Sequence, residues 1–150
     1  MSFSVSAVLP GDIAAVAEIE RASFSDPWSE ESFRSMLGNP QTLFLVARDA
    51  ERGVVGYTAG VGVREDGEIL NVAVAPGARR QGVGALLLDA AIAELSNRRV
   101  TRLYLEVRES NAAAIALYRS RGFRQVTSRR NCYRRPVENA LVLTLEILPG

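Results

Sequence analysis

The residues of this chain that could do acid–base chemistry are few in kind. All eighteen basic residues are arginine, and neither lysine nor histidine occurs in the 150 residues. Sites that need an imidazole base, a histidine-ligated metal, a Schiff-base lysine or a P-loop lysine are therefore excluded. A reactive site must use carboxylates, hydroxyls, arginines, backbone groups or the single cysteine, Cys132.

Glu106 is the carboxylate whose position favours a role as general base. The segment 101–108 alternates, which predicts a strand with Leu103, Leu105 and Val107 on one face and Glu106 on the other. With no histidine or lysine in the chain, a carboxylate must serve where a base is needed. The alternative is a solvated glutamate on a sheet face.

A glycine turn supplies a candidate anion site. A predicted strand ends near Ala75, and the run Arg79-Arg80-Gln81-Gly82-Val83-Gly84 then opens an amphipathic helix. Backbone N–H groups at such a helix start bind phosphate or pyrophosphate, and two arginines add positive charge. A Walker A loop is excluded because it needs lysine, and Leu87 stands where a dinucleotide fingerprint needs a small residue. The alternative interpretation is a glycine-rich helix start that binds no ligand.

These residues must be positioned by alternating strands and helices. The patterns predict strands over 3–9, 42–48, 54–63, 68–75, 101–108, 123–128 and 141–147, and helices over about 13–22, 29–38, 82–96 and 111–121. On the helix from Gly82, we expect Val83, Leu86, Leu87, Ala90 and Leu95 to face inward. A meander followed by βαβ units predicts an α/β fold with a mixed, mostly antiparallel sheet and helices on both faces.

Composition indicates one globular domain, residues 1–150. The chain is 47% hydrophobic and 23% charged with a net charge of +1, which is typical of a folded domain. One cysteine suits a reducing cytoplasm, and we expect a cytoplasmic protein with no signal peptide, no membrane span and no metal. The segment 119–135 carries seven arginines and no acidic residue. It is either a solvated face or a patch that faces RNA, and the scarcity of aromatic residues in it favours a solvated face.

The glycine turn and four other segments carry a family resemblance. The loop 79–84 resembles the Arg/Gln-x-x-Gly-x-Gly/Ala motif of the GNAT family of acetyl-CoA-dependent N-acetyltransferases. The segments 71–74, 105–118 and 121–123 and the Pro27-Trp28-Ser29 turn are similar to its ribosomal-protein-alanine acetyltransferases (RimI type). The resemblance covers nearly the whole chain and implies about seven strands with a splayed, V-shaped cofactor groove.

The resemblance implies acetyl-CoA as the co-substrate and assigns its contacts. Loop amides would hold the pyrophosphate, and backbone groups of a bulged strand would hold the pantetheine arm. Asn111, which on spacing alone is a helix cap, would also bind the co-substrate. The implied co-substrate-binding residues are Val72, Ala73, Val74, Arg79, Arg80, Gln81, Gly82, Val83, Gly84, Ala85, Asn111 and Tyr118.

The implied reaction is direct transfer to an amine, with Glu106 as base and Tyr118 protonating the leaving thiolate. By spacing alone Tyr118 is a core aromatic. The implied acceptor is the N-terminal α-amine of a ribosomal protein, lined by Trp28 and Tyr133; Trp28 equally fits a hydrophobic staple onto the helix after it. The alternative acceptors are a protein lysine side chain and a small-molecule amine. The alternative to an enzyme is a non-catalytic module that binds acetyl-CoA.

Cys132 offers a competing route, in which the thiol takes the acetyl group first. Without a base such as histidine to activate it, that route is disfavoured. Related chains commonly carry an aromatic residue there, within a pattern like Arg-Arg-x-Tyr-Tyr, so Cys132 is a departure that affects the acceptor pocket. We expect a monomer or weak dimer, with no nucleic acid or membrane partner.

Overall fold

The computed structural model describes residues 2–147. Met1 and residues 148–150, the ends of the predicted domain, lie outside the described residues. The strands are β1 (Phe3–Ala7), β2 (Thr42–Asp49), β3 (Gly53–Val63), β4 (Asp66–Val74), β5 (Arg102–Arg108), β6 (Arg124–Tyr133) and β7 (Glu138–Glu146). The helices are α1 (Ile13–Ser23), α2 (Glu30–Met36), α3 (Val83–Asn97) and α4 (Ala112–Ser120).

The strands form one sheet in the order β1-β2-β3-β4-β5-β7-β6. Every neighbouring pair is antiparallel except β4 and β5, which are parallel and joined through α3. The predicted mixed, mostly antiparallel sheet of seven strands is confirmed. No helix between residues 2 and 147 is long and apolar enough to cross a membrane.

Helices cover both faces of the sheet, because alternate strand residues point to opposite sides. On β2, Leu43 packs in the cluster formed with α3 and α4, whereas its neighbour Phe44 packs in the cluster formed with α1 and α2. Phe33 of α2 is fully buried, and burial of such a side chain contributes roughly 1.5–3 kcal/mol. These two clusters hold the helices against opposite faces of the sheet.

The sheet opens between β4 and β5. Their register ends at Ile69 opposite Leu105, while β5 stays paired with β7 as far as Arg108 opposite Ala140. On the other side of β4, Asn71 pairs with Ala59 and Ile69 with Gly60, so Leu70 is an extra residue. This is a β-bulge, which bends the strand that carries it. The bulge and the lost pairing give the V-shaped gap that the family resemblance implied.

Two local predictions were wrong. On α3, Leu86 is 38% exposed and Ala90 is only partly buried, and the core positions include Leu88 and Ala91 instead. Because α3 is apolar almost all round, its pattern does not single out one face. β6 continues to Tyr133, five residues beyond the predicted end, since it is an exposed edge strand held by backbone pairing and lacks an apolar alternation.

Candidate active site

The gap between β4 and β5 opens into a cleft of about 480 Å³. Its walls come from the bulged part of β4, the end of β5, the start of α4, the α1–α2 loop and the end of β6. The cleft therefore collects predicted site residues from elements that are far apart in sequence. The residues singled out from the sequence that line it are Trp28, Val72, Glu106, Asn111, Tyr118, Cys132 and Tyr133.

Glu106 lies on β5, one residue beyond the last pair with β4, so its side chain stands where the gap begins. Its side chain is 34% exposed and makes an ion pair through Oε1 with Arg129 of β6. Within the described residues, Oε2 has no hydrogen-bond partner. The ion pair orients the carboxylate and leaves one oxygen to accept a proton from an amine or through a water.

Tyr118 reaches the cleft from α4. It is 7% exposed, and its ring contacts Phe123 at 5.8 Å between centroids. Burial, with a smaller contribution from Tyr133, raises the pKa of Tyr118 to about 12. Its hydroxyl has no hydrogen-bond partner in residues 2–147. The ring of Tyr118 thus belongs to the core, while its protonated hydroxyl is a free hydrogen-bond donor at the cleft wall.

The glycine turn has the geometry of an anion cradle. Gly82 caps α3 with φ of +82°, and a Cβ there would meet nothing within 4 Å. A Cβ on Gly84 would meet only Leu117 Cδ2 at 3.4 Å and Val74 Cγ2 at 3.8 Å, which are ordinary contacts. Protein packing therefore requires neither glycine to lack a side chain, and Gly82 is required by its backbone conformation. Arg80 and Gln81 are exposed beside the helix start, so the residues present fit a pyrophosphate group.

Arg52 supports this turn from the outside, and Asn111 has a separate role at the start of α4. Arg52 on the β2–β3 turn donates to the carbonyl of Gly77 at 2.9 Å and to Gln81 Oε1 at 3.3 Å. Asn111 caps α4, since its Oδ1 accepts from the Ala114 amide at 3.1 Å. The capping role predicted for Asn111 is confirmed, and its Nδ2 faces no partner among the described residues.

The predicted pantetheine strand is placed at the gap, with one complication. Ala73 and Val83 are buried at 5% and 1% exposed, so only their backbone groups could touch a ligand. The Val74 carbonyl accepts from Arg79 Nε at 3.0 Å, and Arg79 also reaches Ser23 Oγ at 3.4 Å. A co-substrate donor would therefore share that carbonyl with Arg79 through its second lone pair, or displace the Arg79 side chain.

Trp28 and Tyr133, the two predicted acceptor residues, both line the cleft. Trp28 precedes the α2 cap Ser29, and its ring lies 5.7 Å from that of Phe33, which is the N4 residue. This is the hydrophobic staple that the sequence offered as one alternative. Because Trp28 also lines the cleft, the staple fixes one wall of the candidate acceptor site.

A buried carboxylate behind this wall was missed by the sequence analysis. Glu20 of α1 is 1% exposed and accepts from the Trp28 amide at 2.9 Å, from the Tyr57 hydroxyl and from Asn71 Nδ2 at 3.3 Å. Burial raises the pKa of Glu20, and the bonds from Trp28 and Tyr57 oppose that shift. The network ties the α1–α2 loop to the bulge in β4. The signal was the spacing of Glu20 from Ile13, Val16 and Ala17, which places it on the apolar face of α1.

Glu68 is a second carboxylate at the gap that the sequence did not single out. It pairs with Tyr104 across β4 and β5 and lines the same cleft as Glu106. Both glutamates also border a neighbouring groove of about 410 Å³, whose other walls include Val61, Val63 and Val142. Burial raises the pKa of Glu68, Glu106 nearby raises it further, and Arg129 opposes the shift. Two acidic groups thus face the region where an amine would approach.

A parallel strand pair that splays beside a glycine-opened helix, with a carboxylate and a tyrosine in the gap, fits a group-transfer enzyme that anchors a phosphorylated co-substrate. A family model described as the acetyltransferase (GNAT) family matches residues 13–123. The chain belongs to that family.

The similar proteins agree with this assignment. An Escherichia coli K12 protein named ribosomal protein bS18-alanine N-acetyltransferase is 38% identical over 148 residues, covering 96% of this chain and 97% of that protein. A Haemophilus ducreyi protein of the same name is 32% identical, covering 94% of this chain and 98% of its own length. The crystal structure of the Escherichia coli ribosomal-protein-S18-alanine N-acetyltransferase superposes with a TM-score of 0.90 at 36% identity, covering 99% of this chain and 97% of that one.

Proposed function

We propose that this chain transfers acetyl from acetyl-CoA to the N-terminal α-amine of a ribosomal protein whose mature chain begins with alanine. Family membership supports an acetyl-CoA-dependent acyltransferase. The acceptor follows from relatives named for alanine acetylation of ribosomal protein bS18, which match over nearly the full length. The observation that carries the proposal is the meeting of Glu106 and Tyr118 at the gap between β4 and β5.

Acetyl-CoA supplies the acetyl group as a thioester. The amides of residues 81–85 and the side chains of Arg80 and Asn111 would hold it, with backbone groups of 72–74 along its arm. The co-substrate would then place its acyl group in the gap beside β5.

The acceptor amine must lose a proton to become a nucleophile. A free α-amine has a pKa of about 7.7–8.0, so a carboxylate or a water relay suffices near neutral pH. Glu106 Oε2 takes this proton, while Arg129 holds Oε1. Tyr118 donates its hydroxyl proton to the departing sulfur, which needs the protonated form that burial preserves. Direct attack of the amine leaves no step for Cys132, which is exposed.

Replacing the base tests this assignment. Glu106→Gln keeps the shape of the side chain and should lower kcat/KM for an alanine-initiated peptide at pH 7 by about 10²-fold or more. The difference in kcat/KM between the variant and the wild type should become smaller above about pH 8, because the α-amine is then deprotonated in solution. Release of free coenzyme A, followed with a thiol reagent, measures the rate.

Two control variants separate the base from its surroundings. Glu109→Gln alters an exposed carboxyl just past β5 and should leave the rate within about twofold. Arg129→Gln breaks the ion pair but keeps the carboxylate, so its rate should stay well above that of Glu106→Gln. A Glu106→Gln enzyme within about twofold of wild type at pH 7 would show that Glu106 is not the base.

A further inference from the structure

Two loops stand on either side of the candidate acceptor cleft. The first, residues 24–29 between α1 and α2, carries Trp28; the second, residues 134–137 between β6 and β7, follows Tyr133. We call these the acceptor loops. The two loops are more than 100 residues apart in sequence, so the chain does not join them locally. The distance between them therefore depends on tertiary contacts.

One side chain makes most of those contacts. Arg108, the last residue of β5, donates through Nη1 to the Pro136 carbonyl at 3.1 Å, and through Nη2 to the Arg134 carbonyl at 2.8 Å. Nη2 also donates to Ser25 Oγ of the first loop at 3.1 Å. The guanidinium carbon lies 4.5 Å from the centre of the Tyr133 ring. Arg108 thus contacts both loops and the aromatic wall at once.

Within residues 2–147, the acceptor loops share one direct side-chain hydrogen bond, which Ser25 Oγ donates to the Arg134 carbonyl at 3.2 Å. Arg108 donates to the same two groups, so the three residues form a closed triangle. A planar guanidinium can serve several acceptors in fixed directions and lie over an aromatic ring, which an ammonium cannot do in the same way. The chemistry therefore requires arginine at this position.

Arg108 is also fixed relative to the chemistry. It lies two residues beyond Glu106 on the same face of β5, a spacing of about 7 Å along a strand. The guanidinium therefore holds both loops at a fixed position relative to β5. Trp28 and Tyr133 are in this way held relative to the candidate base, Glu106.

We infer that Arg108 is a positioning residue that joins the two acceptor loops and sets the width of the acceptor cleft. The inference rests on the proposed function for the identity of the acceptor side. We expect a defect in use of the acceptor peptide and none in use of acetyl-CoA. The glycine turn lies on other elements, and the hydrogen bond of Asn111 to Arg108 goes to the backbone carbonyl, which a substitution keeps.

Kinetics of Arg108→Gln and Arg108→Lys test this inference. Each should raise the KM for an alanine-initiated peptide by about tenfold, with the KM for acetyl-CoA within about twofold of wild type. Lysine should not preserve the wild-type KM for the peptide, because its ammonium group lacks the planar, forked donors of a guanidinium. Arg102→Gln, at the start of the same strand, bonded to the Tyr104 hydroxyl at 3.5 Å, is the matched control and should leave both constants unchanged. An unchanged peptide KM, or an equal rise in both constants, would overturn the inference.

A second readout needs no activity. Trp28 is the only tryptophan of the chain, so its fluorescence reports on the first acceptor loop. Arg108→Gln should increase quenching of Trp28 by acrylamide in the free enzyme, and Arg102→Gln should not. Unchanged quenching overturns the inference whatever the activity. Failure of the wild-type enzyme to acetylate any amine would instead refute the proposed function, and the quenching result would still decide whether Arg108 joins the loops.

Discussion

Tyr118 combines a structural and a chemical role in one side chain. Its ring packs on Phe123 within the core formed with α3 and α4, while its hydroxyl reaches the cleft without a partner among the described residues. Burial raises its pKa to about 12, so the hydroxyl keeps its proton at neutral pH and loses it only as the pH rises toward that value. A proton donor is therefore present throughout the range in which an α-amine becomes neutral.

Tyr118→Phe should separate the two roles. Phenylalanine keeps the ring packing and removes the proton, so kcat should fall by about tenfold or more while the dissociation constant for acetyl-CoA stays within about twofold. Turnover together with calorimetric binding measures both quantities. Tyr104→Phe, on the neighbouring strand, is the control. Normal turnover with weakened binding would make Tyr118 structural only.

The residue-level predictions succeeded where a local pattern carried the information. The alternation of β5 placed Glu106 opposite Leu103, Leu105 and Val107, and the structure has that arrangement. The pairing of Glu106 with Arg129 could not be foreseen, because it depends on the register of β6 and β5 on either side of β7. Glu20 was missed because a charged residue in a helix is ordinarily assigned to its solvated face.

At the scale of elements, the glycine turn contains two residues in the left-handed region, Arg80 with φ of +63° and Gly82 with φ of +82°. Gly82 caps α3 in the left-handed region, where any other L-residue is strained. Gly84 lies in the first turn of the helix with ordinary space around it. The two glycines therefore differ in what they contribute, although the motif shows them as a pair.

The same substitution at each glycine tests this difference. Gly82→Ala should cost about 1–2 kcal/mol of stability or reorient the loop amides, and should weaken acetyl-CoA binding. Gly84→Ala should be neutral to stabilising by up to about 1 kcal/mol, since alanine is the better helix former. Thermal unfolding and acetyl-CoA titration measure the two effects. If both variants lost binding equally, the conformation of Gly82 would not be the reason for its place in the turn.

Element prediction failed where side chains carry little information. β6 is exposed along almost its whole length, so nothing in its residues marks its end. Its pairing with β7 comes from backbone hydrogen bonds, which any residue but proline can make. The inner face of α3 was misassigned for the opposite reason, because leucines at 86, 87 and 88 all look suited to the core.

At the scale of the whole molecule, the site exists because the sheet fails to close. β5 leaves β4 after Ile69 and Leu105 while remaining paired with β7, and the bulge at Leu70 bends β4 away. Glu106 from β5, Tyr118 from α4 and Trp28 from the α1–α2 loop then line one cleft. Periodicity predicts each element, but their meeting at a gap follows from tertiary packing, and only the family resemblance implied it.

The charge pattern of the whole molecule bears on the acceptor. The arginine-rich segment 119–135 runs from the end of α4 through edge strand β6, and two of its members are paired, Arg121 with Asp89 at 2.9 Å and Arg129 with Glu106. The amine side of the cleft carries Glu68 and Glu106. Because Arg108 and Arg134 also line the cleft, these carboxylates attract a charged amine only locally, and the bound amine must then lose its proton to react.

The central claim is that the acceptor is an N-terminal α-amine. One peptide with a free N-terminal alanine and an internal lysine, and a twin whose N-terminus is blocked, test it directly with acetyl-CoA and the wild-type enzyme. Tandem mass spectrometry locates the acetyl group. We predict a single acetyl group on the α-amine of the first peptide and none on the twin. Acetylation of the lysine in both peptides at similar rates would contradict the account.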